Sequence, residues 1–244
     1  MQISAGSDLY GSLPRQYRSV RWLSAYCRSP KDNVAAGLPE PLELLDDGGA
    51  TVQIEFFVAH YADTPYGPYI EAGAIAPCRY GGIEGQTYLP FLYLDKVGPI
   101  VGGRELMGFP KKDGDVQFAQ EDDVVRGHVT RGGVELMRFE ANLEDVMEFD
   151  FEPLPAGPRL LVREFPRADG PGCAFREILR KEADPDSVVR VSKQVRCSLA
   201  IGGTPDDPLD MLEPVEVLGG RYRELDFALK YATVLEASTL CPTM

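Results

Sequence analysis

Short alternating apolar runs, separated by turn residues, set the pattern of this chain. From Thr51 to Ala59, Val52, Ile54, Phe56 and Val58 fall on one face and Gln53 and Glu55 on the other. That is the period-two signature of a half-buried strand. Similar runs occur at Leu89–Leu94, Val97–Val101, Val124–Val129, Leu160–Phe165, Val188–Val195 and Arg223–Leu235. Helical spacing is sparse. It predicts a short helix from Pro30 to Leu38, closing at Gly37 before the turn Pro39-Glu40-Pro41. Phe175, Ile178 and Leu179 fit a helix or a strand equally. Many short strands with regular turns predict a mainly β (β-rich α+β) barrel or sandwich rather than alternating βαβ units. With no repeat and no linker-like shift in composition, one continuous domain over residues 1–244 is expected. The acidic stretches Asp46–Gly49 and Gly202–Pro208 read as surface loops.

Composition narrows the function more than the fold. The 25 glycines and 20 prolines supply the turns, and 44% hydrophobic residues supply a globular core. A net charge of −13 opposes phosphate backbones and anionic lipid, so neither nucleic acid nor a membrane surface is expected as a partner. It also disfavours anionic substrates at long range unless the site supplies local positive charge. No apolar run approaches the ~20 residues of a membrane span, and Met1–Asp8 has neither the basic start nor the apolar stretch of a signal peptide. The five cysteines fit no zinc or redox spacing. Reduced thiols in a cytoplasm are the expectation. Cys241-Pro242-Thr243-Met244 formally matches a prenylation box, but its middle pair is not aliphatic and no basic tract precedes it.

His60 and His128 are the only histidines, so no multi-histidine metal site can form, and each is read as structural. There is no nucleophile elbow, P-loop or dinucleotide glycine fingerprint. The segment with chemical promise is Gly102-Gly103-Arg104-Glu105-Leu106-Met107-Gly108-Phe109-Pro110-Lys111-Lys112, where two lysines follow an apolar, aromatic approach. An amine attacks a ketone only when unprotonated. An apolar pocket or a neighbouring cation favours that state. On a strand, adjacent lysines leave opposite faces. At a separation of ~8 Å and an effective dielectric of ~20 they repel by about 2 kcal/mol, less than full burial costs an ammonium. Burial is therefore expected to outweigh the neighbouring charge.

Gly103-Arg104-Glu105, followed by Gly108-Phe109-Pro110-Lys111-Lys112, resembles the signature of the acetoacetate decarboxylase family. Further matches are Leu38-Pro39-Glu40-Pro41-Leu42-Glu43, Tyr69-Ile70-Glu71-Ala72-Gly73, Tyr93-Leu94-Asp95, Arg163-Glu164-Phe165-Pro166 with Asp169-Gly170, and Pro208-Leu209 through Glu216-Val217. They run roughly from Arg15 to Leu235. The resemblance implies an antiparallel β-barrel or cone with its site inside, few short helices, and a homo-oligomer. It implies Lys111 as the Schiff-base lysine, Lys112 as its cationic neighbour, Glu71 as the active-site glutamate and Glu55 as a second glutamate near the pocket. A family arginine falls, by ungapped count, on Val20. Arg18 is preferred over Arg21, because a two-residue slip preserves strand face and a one-residue slip reverses it. Tyr69, Met107 and Phe109 are the expected pocket side chains. The implied reaction is decarboxylation of a small β-keto acid (acetoacetate to acetone and carbon dioxide), with no metal or organic cofactor. The alternatives are an aldolase-dehydratase acting on pyruvate or another keto acid in secondary metabolism, which shares the same imine, and a non-catalytic ligand-binding barrel.

Overall fold

Alternation along the chain becomes one 14-stranded sheet in the computed structural model, which describes residues 12–45, 48–155 and 157–239. The strands are β1 (Arg15–Pro30), β2 (Glu43–Leu44), β3 (Thr51–Asp63), β4 (Tyr69–Tyr80), β5 (Ile83–Leu94), β6 (Lys111–Asp113) and β7 (Asp115–Glu121). They continue as β8 (Val124–Arg131), β9 (Val134–Val146), β10 (Arg159–Pro166), β11 (Cys173–Lys181), β12 (Val188–Ile201), β13 (Glu216–Leu229) and β14 (Thr233–Thr239). Two α-helices, α1 (Lys31–Ala36) and α2 (Val97–Met107), join them. The order is β14-β11-β10-β5-β4-β3-β1-β13-β12-β9-β8-β7, with β2 on β4 and β6 on β5. All pairs are antiparallel except β5 with β10 and β5 with β6. The sheet does not close into a barrel. It curls so that β7, at one end, packs back on β3, β4 and β5.

This curl buries both faces of the middle strands. Leu23, Ile54, Phe56, Val58 and Phe91 face a large core shared with β7 to β9. Trp22, Phe57, Tyr61, Tyr69 and Leu92 face a second cluster with Met107 and Phe109. The alternation in β3 is therefore as expected, but its other face is not solvated. Glu55 is buried there beside Phe57 and Ala59, because a central strand covered on both sides has no wet face.

Several other expectations are corrected. Val97–Val101 begins α2 rather than a strand, since Val97, Ile100 and Val101 also carry helical spacing and the following turn stops a helix. α2 is the crossover required to lay β6 parallel to β5, so one βαβ unit does occur. Cys173–Lys181 resolves as a strand. The run Arg223–Leu235 breaks between β13 and β14. Cys27, Cys78 and Cys197 are free thiols, whereas Cys173 is disulfide-bonded, against the expectation of reduced thiols throughout. The C-terminal tetrapeptide, Asp46 and the first residues lie outside the described residues. Among the described residues no helix is long and apolar enough to cross a membrane.

The Gly202–Pro208 stretch is not simply a surface loop, because Asp207 is buried. Its Oδ1 accepts from Lys112 Nζ at 2.7 Å and from Tyr93 OH at 3.1 Å, and its Oδ2 accepts from Arg131. Burial alone would raise its pKa; the bonds from Lys112 and Arg131 outweigh that and hold it below the ordinary carboxylate value. A depressed folded-state pKa stabilises the protein above the unfolded value of ~3.9 and ceases to do so as pH falls through the folded value. Asp207→Asn should thus cost about 1–3 kcal/mol at pH 7, with the deficit shrinking below about pH 4. Thermal melts of both proteins at the two pH values check this, and an equal deficit at both would refute it.

Candidate active site

Lys111 is positioned by the way α2 ends. Gly108 takes the left-handed conformation (φ 70°, ψ 19°), and its N–H donates to Arg104 O at 3.0 Å. Phe109 N–H donates to Gly103 O at 3.2 Å, completing a glycine-dependent helix stop. The chain then turns into β6. Arg104 Nη1 donates to Lys111 O at 3.0 Å, anchoring that strand to the helix. Gly103 lets the lysine stem lie against α2. A Cβ there would sit 2.7 Å from Lys111 Cδ and 2.9 Å from Cε. Gly103→Ala should gain up to ~1 kcal/mol of helix propensity while displacing the amine. The expected result is an unchanged circular dichroism spectrum with amine reactivity towards ketones reduced by roughly tenfold or more. Unchanged reactivity would show that the close approach does not position Lys111.

The Lys111 side chain enters a cavity of about 300 Å³ on the second-cluster side of β1, β3 and β4. Its Nζ donates to Glu71 Oε2 at 2.8 Å, and both residues are buried. Aromatic rings surround the pair: Nζ lies 5.4 Å from the Phe109 ring centre and 5.8 Å from that of Tyr69. Tyr61 stacks on Tyr69 at 4.6 Å, and Tyr88 meets Phe109 edge-on at 5.4 Å. Burial first, and then the Glu71 charge, push the Tyr61 and Tyr69 phenols well above their ordinary pKa. Burial likewise pushes Tyr17 up to about 12. All three stay protonated as hydroxyl donors at neutral pH.

Of the residues singled out from sequence, Lys111, Glu71, Tyr69 and Phe109 come together on this cavity. Lys112 leaves the opposite face of β6, as alternation requires, and pairs with Asp207 instead. Glu55 stands behind the wall. Its Oε1 accepts from Ser24 Oγ at 2.5 Å and from Trp22 Nε1 at 3.2 Å, and Arg223 Nη2 is 3.8 Å away. It thus orients Trp22 and Arg223, which do line the cavity. Met107 is buried in the second cluster but outside the lining.

Arg18 is not brought to the site. A bulge between Tyr17 and Val20, with Ser19 at φ 52°, keeps Tyr17, Val20 and Trp22 inward and leaves Arg18 exposed. Arg21 turns to the other side, against His60 Nδ1 at 2.8 Å and Gln120 at 3.2 Å. The cavity's guanidinium groups are Arg159 and Arg223, joined by Lys181. Burial, with the positive charge of Arg159 adding to it, lowers the Lys181 pKa to about 8. These three carried no motif, and only the strand pairing gathers them.

A cavity of this size, walled by aromatic rings and holding a buried amine–carboxylate pair, makes a small-molecule site in a protein of mainly β architecture. The family follows from comparison: a family model described as acetoacetate decarboxylase matches residues 3–238, and the chain belongs to that family, whose curated members make it a lyase. It is 28% identical over 232 residues to acetoacetate decarboxylase of Chromobacterium violaceum, covering 91% of this chain and 89% of the relative. It is 29% identical to that of Burkholderia multivorans, covering 91% and 88%. Among solved structures, acetoacetate decarboxylase from Legionella pneumophila superposes with a TM-score of 0.80 at 23% identity, over 94% of this chain and 90% of that one. The enduracididine biosynthesis enzyme MppR, solved with the condensation product of pyruvate and imidazole 4-carboxaldehyde, superposes at 0.75 and 17% identity, over 93% and 91%.

Proposed function

We propose that this protein decarboxylates a β-keto acid through an imine on Lys111. The observation that carries the reading is the buried Lys111 Nζ, 2.8 Å from Glu71 Oε2 and ringed by Phe109 and Tyr69. Glu71 is within reach to take the ammonium proton and free the amine. The amine adds to the ketone carbon, the carbinolamine loses water, and a protonated imine results. The bond to the carboxylate carbon then breaks, its electron pair moves toward the imine nitrogen, and carbon dioxide departs to leave an enamine. Protonation at carbon, with Glu71 the nearest acid, restores an imine. Water hydrolyses it to the ketone and the free lysine.

The pyruvate condensation named for MppR supports a second reading, in which the same lysine and the same enamine attack an aldehyde. The two divide on one measurement. Borohydride reduction in the presence of a keto acid, followed by peptide mapping, should place the adduct on Lys111. Release of carbon dioxide in step with product supports decarboxylation; an adduct without it supports condensation. Absence of an adduct with every keto acid tried would refute both and leave a binding protein.

A further inference from the structure

Arg159 opens β10 directly opposite Lys181 at the end of β11. Like charges placed opposite one another across antiparallel strands are unfavourable. The protein relieves them only in part: among the described residues neither takes part in an ion pair, Lys181 Nζ donates to the Glu182 carbonyl at 3.0 Å and the Arg159 guanidinium lies over the Tyr88 ring, but the buried Arg159 Nη1 has no hydrogen-bond partner. A buried donor left without an acceptor is costly. The nearby carboxylates are already engaged. Asp184 accepts from Lys230 Nζ at 2.7 Å and from the Ala228 N–H at 2.7 Å, and Glu182 pairs with Arg180 at 2.6 Å. Both cations line the cavity that holds Lys111. In a chain of net charge −13, this is a local positive pole.

We propose that the substrate carries a second carboxylate, one that the reaction does not remove, received by Arg159 with Lys181 beside it. The proposal rests on the imine at Lys111, which fixes the ketone end. Two rings separate that end from the guanidinium: Phe109 is 5.4 Å from Lys111 Nζ, Tyr88 is 5.4 Å from Phe109, and the Arg159 guanidinium is 5.4 Å from the Tyr88 ring centre. The carboxylate lost from a β-keto acid lies two bonds from the ketone carbon and therefore stays beside Lys111. A cation across two rings meets a different group. Its planar N–H fork suits a carboxylate. The cavity of about 300 Å³ reaches the range of drug-sized ligands, well beyond a four-carbon acid. The substrate class is thus a keto acid with a terminal carboxylate several carbons from the ketone.

The probes are 3-oxoadipate and 3-oxohexanoate, six-carbon β-keto acids that differ only in a terminal carboxylate against a methyl group. Borohydride trapping at Lys111 should half-saturate at a concentration about tenfold or more lower for 3-oxoadipate. Arg159→Gln should erase that preference, and Arg159→Lys, which keeps the cation, should restore part of it. Equal half-saturation in the parent, or a preference undiminished in Arg159→Gln, overturns the proposal. If neither acid nor acetoacetate forms a Lys111 adduct, the imine reading itself falls. Adipate, which has no ketone, then decides the anion site alone. A higher melting temperature with adipate in the parent but not in Arg159→Gln upholds the site, and the same response in both overturns it.

Discussion

Replacing Lys111 with alanine should abolish borohydride trapping and reduce turnover by roughly 10⁴-fold or more, the scale on which loss of a covalent nucleophile acts. Trapping at the doublet should survive in Lys112→Met. The two lysines are neighbours in sequence but occupy separate surroundings: one amine meets Glu71 inside the aromatic cavity, the other meets Asp207 behind the sheet. Loss of the Lys112 charge leaves Asp207 partnered by Arg131 and Tyr93, and β6 stays tied to the helix by Arg104 on the Lys111 carbonyl. Because Lys111→Ala leaves both a void and the buried Glu71 without a cation, Lys111→Met, which fills the void, and Lys111→Arg, which keeps a cation, should be tested beside it. Mapping of the adduct to Lys112 in the parent would refute the assignment.

Glu71→Gln should lower kcat by about 10²–10⁴-fold, the usual yield of a placed proton carrier, while an adduct on Lys111 still forms. The substitution preserves shape and a hydrogen bond but cannot cycle a proton. The readout is the ratio of adduct formation to ketone release. A purely structural Glu71 would slow both equally through misplacement of Lys111. Turnover at the parent rate would assign the proton steps to another group, such as the Tyr69 hydroxyl on the cavity wall.

What could be read from sequence was local. The alternation of β3 and the opposed directions of Lys111 and Lys112 follow from a few residues of chain, and the structure agrees. What escaped depends on distant pairing. Arg159, Lys181 and Arg223 lie on β10, β11 and β13, and no spacing along the chain marks them as neighbours. Arg18 was misplaced because counting by twos assumes a regular strand, and the bulge at Ser19 changes the parity. Val97–Val101 was read as a strand because five apolar-rich residues fit either period. The parallel pairing of β6 with β5, which demands a crossover, decides for the helix. Asp207 looked solvated because its stretch is acidic and rich in turn residues; its two cationic partners come from β6 and β8.

The Lys-Lys doublet looks interchangeable on paper, yet only one alignment of β6 satisfies both carboxylates. Lys111 sits opposite Leu92 and Lys112 opposite Tyr93. Advancing the strand by one residue would bring Lys112 to Glu71 but set Asp113 against Asp207, carboxylate to carboxylate. Retreating by one would put Pro110 at Glu71 and strand a buried negative charge. The anions on the two faces of this three-residue strand therefore act as a frame-checking device. They select which of two identical amines enters the aromatic cavity, and the choice is written in the residues that flank the doublet, not in the doublet.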